Sequence, residues 1–182
     1  FEPCIVEGYR YLVREAVAEK IERIGSRLQR QGKVLIIRSA WRSFRHQRLL
    51  WDRRVEQLTN DNPEIHPSEI RRMTSYFIAP ERKSMHATGG AVDTLILDEA
   101  TDRVLDFGTN DGLEIQLSRR CYPEHPEVGE EAMSNRRLLI GLFEDEGFVC
   151  DLKEFWHFDY GNVIWATSKK MDHAIYGAIE AC

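Results

Sequence analysis

Apolar residues recur at threes and fours through YRYLVREAVAEKIERIGSRLQR, residues 9–30. Leu12, Ala16, Val17, Ile21, Ile24 and Leu28 fall on one face and charged residues fill the other. That spacing predicts an amphipathic helix with a stop at Gly32. KVLIIR is short and rich in β-branched residues, which predicts a strand. It runs into SAWRSFRHQRLLWDRRVEQL, whose second half has helical spacing at Leu49, Leu50, Val55 and Leu58. Pro63, Pro67 and Pro80 interrupt residues 60–83, NDNP signals a loop, and PSEIRRM fits one or two helical turns. DTLILD reads as a strand, EATDR as a turn and VLDF as a second strand. Little periodicity shows from Gly108 to Pro126. A helix returns over 131–148 with Leu138, Leu139, Leu142 and Phe143, and Gly147 is placed to cap it. EFWHFDYGNVIWAT has the aromatic content of strands, with a turn at DYGN. No repeat, low-complexity segment or linker interrupts the chain. The expectation is one α+β domain over 1–182, with helices packed on a small, largely antiparallel sheet.

Composition narrows the partners. Apolar residues make up 42% and charged residues 30%, as in ordinary soluble domains. The 25 basic against 30 acidic residues argue against nucleic acid, whose binding rests on phosphate neutralisation. No apolar run approaches the roughly 18 residues of a membrane span. No secretory leader is visible, so the expected location is cytoplasmic, or periplasmic if an N-terminal signal has been removed. Cys4, Cys121, Cys150 and Cys182 form no C-x-x-C pair, and reduced thiols are the expectation. In an oxidising compartment Cys4 could pair with Cys182, or Cys121 with Cys150. The sequence sets no oligomeric state.

Two segments carry candidate chemistry. KSMHATGGAVDTLIL places His86 and Asp93 around two adjacent glycines that allow a tight turn. Zinc accepts both imidazole nitrogen and carboxylate oxygen. KEFWHFDYG places Glu154 three residues before His157. In a regular strand these two would face opposite sides, so they converge only if the strand begins after Glu154 or carries a bulge or turn there. His157 is then a third ligand beside His86 and Asp93, which suits a catalytic zinc with one open position. Glu154 would stand close to the metal. Asp159 is a rival ligand or an acceptor behind His157. The competing reading makes Phe155, Trp156 and Phe158 core residues and leaves Glu154 exposed.

These residues resemble a known family. Ser84, His86, Gly89, Ala91 and Asp93 in SMHATGGAVD match the S-x-H-x-x-G-x-A-x-D signature of D-alanyl-D-alanine dipeptidases of the vancomycin-resistance type. Those enzymes belong with the zinc D,D-peptidases and are similar in core to the hedgehog signalling domain. EFWHFDYG resembles the family's E-x-W-H segment, NRRLLIGLFEDEGF the helix before it, and SAWRSFRHQ the early aromatic-Arg element. The likeness runs roughly from Tyr9 to Thr167. It implies one zinc per chain held by His86, Asp93 and His157. It also implies Glu154 as general base and then acid, Arg42 facing the developing oxyanion, and Ser84 near the substrate's free amine. Two departures stand out. The family's GT element leads to an acidic residue that grips the amine, and here FGTNDGLE offers Asp111 one residue early. Ser43 replaces a customary proline after the arginine.

The resemblance implies hydrolysis of the D-Ala-D-Ala dipeptide, a small-molecule substrate. Its rivals are a D,D-carboxypeptidase acting on larger peptidoglycan peptides and a non-catalytic zinc-stabilised binding domain. Glu154 and Arg42 argue against the last, because a structural zinc needs neither.

Overall fold

Helix α1 spans Glu15–Gln29 and buries Val17, Ile21, Ile24 and Leu28, four of the residues whose spacing predicted it. It begins later than that spacing suggested. Tyr9–Val13 is strand β2, paired antiparallel with strand β1 (Glu2–Val6). Aromatic and β-branched residues suit a pleated ribbon, and the partner strand decides the matter where periodicity alone cannot. The computed structural model describes residues 2–6, 9–76, 78–109 and 120–180.

The main sheet runs β3 (Lys33–Ser39), β4 (Ala91–Asp98), β7 (His157–Asp159), β6 (Val149–Cys150), and β5 (Arg103–Val104) pairs with β4. Every pairing is antiparallel. Helix α2 (Phe44–Asp61) starts earlier than its apolar spacing showed, because the Ser43 side chain accepts the His46 N–H and caps it. The serine in the proline's place is therefore a helix cap. Helix α3 (Pro67–Thr74) and helix α4 (Glu130–Asp145) follow their patterns, and Gly147 beyond α4 sits at φ +84°. The VIWAT stretch is not a strand. It forms helix α5 (Val163–Ser168), because Asn162 caps it by accepting the Trp165 N–H.

Strand β4 divides the molecule. Val92, Thr94 and Ile96 are fully buried on one side, where Phe158, the pairing partner of Val92, stacks on Phe143 of α4 at 4.0 Å between centroids. Helix α1 contributes Val17, Ile21, Ile24 and Leu28 to the same core, with Leu35 and Ile37 of β3. Asp93 lies on the opposite side by the alternation of the pleat. Among the described residues, no helix is long and apolar enough to cross a membrane. The Cys121 and Cys150 thiols are free, and Cys182 lies outside the described residues.

Candidate active site

A single 3-10 turn, Met85–Thr88, carries His86, and Ser84 precedes it at the N-cap position. The two glycines after it do different work. Gly89 ends the turn at φ +70°, a left-handed conformation costly for residues with a Cβ. At Gly90 a Cβ would fall 2.3 Å from the Tyr160 carbonyl oxygen, so glycine permits the close passage of β4 beside residue 160. The Thr88 hydroxyl donates to the Met85 carbonyl and accepts the Gly90 N–H. Arg14 fastens the turn from outside, its main chain donating to Gly89 and its Nε to Thr88.

His86 is buried, and its Nδ1 lies 2.8 Å from the Ala40 carbonyl oxygen. A carbonyl only accepts, so Nδ1 carries the hydrogen and Nε2 keeps a lone pair. That Nε2 is 3.3 Å from Asp93 Oδ2. Asp93 pairs directly across the sheet with His157, and His157 Nδ1 is 2.8 Å from Asp93 Oδ1. The other ring nitrogen, Nε2, faces Asp159 Oδ1 at 3.3 Å, and Asp159 in turn accepts from Asn162 Nδ2 at 2.6 Å. The ligand atoms of His86, Asp93 and His157 all lie within 4.8 Å of one another. Tetrahedral zinc with bonds of about 2.0–2.1 Å needs donors in this range. Each imidazole has an acceptor on its far nitrogen, the arrangement that orients metal-binding histidines. The donor set fits zinc.

Arg42 reaches the rim of this cluster. Its Nη2 donates to Asp93 Oδ2 at 2.9 Å, Nε to Ser39 Oγ at 2.8 Å and Nη1 to Gln47 Oε1 at 3.3 Å. Gln47 is buried and is itself fixed by donating to the Ala79 carbonyl at 2.8 Å. The pairing register shifts between Ile37 and Ser39, and Ser39 then lies opposite Asp93.

Strand β7 begins at His157, after Glu154, so the condition for convergence is met. Residues 154–157 form a turn closed by the His157 N–H on the Glu154 carbonyl at 3.1 Å. Burial pushes the Glu154 carboxyl up to about 7; His157 opposes the shift and the Asp93 charge adds to it. Burial alone would also raise Asp93, but attraction to His86 and the hydrogen bond from His157 outweigh it and hold Asp93 well below the usual carboxylate range. Burial lowers His86, against the pull of Asp93. His157 is raised, because Asp159 and Asp93 outweigh the cost of burying its charge.

The structure thus brings together His86, Asp93 and His157, with Arg42 at their edge and Glu154 within electrostatic reach. Ser84 is buried two residues before His86, and its side chain makes no capping bond. Asp111 lies outside the described residues. Sequence reasoning missed Ser39, Gln47, the Ala40 carbonyl and Asn162. Only Asn162 left a signal, as a cap residue ahead of VIWAT.

The fold is that of the D,D-peptidases. VanYB in complex with D-alanine-D-alanine superposes with a TM-score of 0.56 at 16% identity, covering 93% of this chain and 84% of that one. A mutant of the vancomycin resistance D,D-pentapeptidase VanY in complex with Zn(II) gives 0.55 at 16% identity, covering 94% and 84%. The D-ala-D-ala dipeptidase family matches residues 4–175, and this chain belongs to it. D-alanyl-D-alanine dipeptidase of Escherichia coli is 27% identical over 156 residues, 86% of this chain and 70% of that protein.

Proposed function

We propose that the protein is a zinc-dependent dipeptidase that hydrolyses D-Ala-D-Ala. The observation that carries this reading is the convergence of His86 Nε2, the Asp93 carboxylate and His157 Nδ1, with the buried Glu154 carboxyl within electrostatic reach of them. His86, Asp93 and His157 would hold one zinc. When bound, zinc supplies a Lewis acid that lowers the pKa of water and polarises a carbonyl.

Glu154 takes the proton of the attacking water and returns it to the leaving amine. Burial raises this carboxyl above the usual carboxylate range, which suits a group that must both take and return a proton. Arg42 uses three of its five N–H groups on Asp93, Ser39 and Gln47. The remaining N–H on each terminal nitrogen can meet the oxygen that gains charge, from a guanidinium that stays ionised and is held in place beforehand. Ser84 and Asp111 are the proposed contacts for the free amine of the substrate. Family membership and the named activity of the E. coli relative support the choice of dipeptide.

The test is hydrolysis by zinc-reconstituted protein of D-Ala-D-Ala, its N-acetylated form and L-Ala-L-Ala. The free D,D-dipeptide should be cleaved much faster than the other two, since acetylation removes a charge and leaves a carboxylate in the pocket unpaired. Glu154→Gln should retain zinc and lose about 10²-fold or more in kcat. Equal kcat/KM for free and acetylated D-Ala-D-Ala would replace this reading with a D,D-carboxypeptidase. Full zinc occupancy without hydrolysis of any D,D-substrate would reject it.

A further inference from the structure

Arg136, on α4, is fully buried. Its guanidinium donates from Nε and Nη2 to the Phe107 carbonyl at 2.9 and 2.6 Å, from Nη1 to Tyr122 at 2.7 Å and from Nη2 to Arg120 at 2.8 Å. No carboxylate is among these partners. A buried cation is costly unless its donors are met, and three main-chain carbonyls from two distant segments meet this one. The planar fork of arginine suits several fixed acceptors at once, where a single ammonium does not.

What those segments share is the turn that carries Glu154. The carbonyls of Arg120 and Tyr122 flank Cys121, and the Cys121 carbonyl accepts the Phe155 N–H at 3.0 Å. The guanidinium also lies over the Phe155 ring, 4.3 Å from its centroid. Phe155 stacks on Phe107, whose carbonyl Arg136 holds, and meets Trp156 edge-on at 4.9 Å. One side chain therefore grips the residue next to Glu154 three ways: by its ring, through its stacking partner and through the acceptor of its N–H.

We infer that Arg136 is a positioning residue that fixes the Glu154 turn against the metal-ligand cluster. This rests on the proposed role of Glu154. Among the described residues its hydrogen bonds go to main-chain carbonyls and its ring contact is with Phe155, so it acts through the turn.

Arg136→Lys keeps the charge and removes the fork. In the zinc-reconstituted protein kcat for D-Ala-D-Ala should fall by about 10-fold or more, with KM and zinc affinity little changed. Hydrogen exchange of the Phe155 and His157 amides should accelerate by at least ~10-fold, while amides of β3, β4 and α1 keep their wild-type rates. Phe155→Leu, which removes the ring beneath the cation, should show the same pattern more weakly and stands in if Arg136→Lys does not fold. A lower Tm with unchanged kcat, or faster exchange spread evenly over the sheet, would reduce Arg136 to a structural residue and overturn the inference. Wild-type protein that binds zinc but leaves the dipeptide intact sinks the dipeptidase reading instead. The exchange measurement then still decides whether Arg136 holds the turn.

Discussion

The two sides of β4 are built on different terms. Under α1 and α4, Val92, Thr94 and Ile96 are sealed by apolar residues from several elements, and Phe158 against Phe143 is one contact among many. On the other side Asp93 faces His86, His157 and Arg42, and nearly every polar atom has one or two identifiable partners. Dispersion and burial are non-directional, so the first side tolerates exchange of one apolar shape for a similar one. Hydrogen bonds are directional, so the second side should tolerate exchange far less. The difference separates residues that maintain the fold from those of the proposed zinc site, though they alternate along a single strand.

The largest expected effect falls on the polar side. His157→Ala should abolish stoichiometric zinc binding while leaving the apolar side packed, as elemental analysis after dialysis and circular dichroism would record. Zinc held at wild-type affinity would shift the ligand to Asp159. The complementary change is Phe143→Ala, which should cost about 3–5 kcal/mol in denaturant unfolding. Zinc content and kcat of the remaining folded protein should stay near wild type; a matching loss of zinc would show that the two sides are not separable.

Asp159→Ala tests how far the polar side reaches behind its ligands. Removing the acceptor on His157 Nε2 should weaken zinc by roughly 10–100-fold, measured by chelator competition. Unchanged affinity would make Asp159 only the partner of Asn162. The smallest effect is a pH dependence of stability in metal-free protein. The Glu154 carboxyl is raised by burial to about 7 from 4.5, so folding favours its neutral form. That contribution is full below pH 4.5 and fades as pH rises through about 7. Glu154→Gln, permanently neutral, should melt close to wild type at low pH and above it past neutrality. Parallel melting curves in a chelating buffer across that range would show that the turn does not bury the carboxyl.

Much of this was legible in the chain. The spacing of Val17, Ile21, Ile24 and Leu28 fixes α1, and the α+β class follows from the mixture of periods. SMHATGGAVD and EFWHFDYG identify the family and mark His86, Asp93, Glu154 and His157. Periodicity alone places Tyr9–Val13 in a helix, because apolar residues at threes and fours extend into a segment whose partner strand lies at Glu2–Val6. The VIWAT stretch reads as a strand by its aromatic content, and a single cap residue, Asn162, makes it a helix.

The sequence by itself determined the candidate ligand types, the glycines at 89 and 90 and the short Glu154–His157 spacing, because these are local and each answers to a local rule of backbone or ligand chemistry. Tertiary structure alone decided that Asp93 pairs across the sheet with His157, since register depends on how distant strands align. It decided which nitrogen each histidine turns inward, because the Ala40 carbonyl and Asp159 occupy the others. It also decided what Arg136 holds: a charged residue in a helix pattern reads as a solvated face until three carbonyls from segments 14 to 29 residues away close around it.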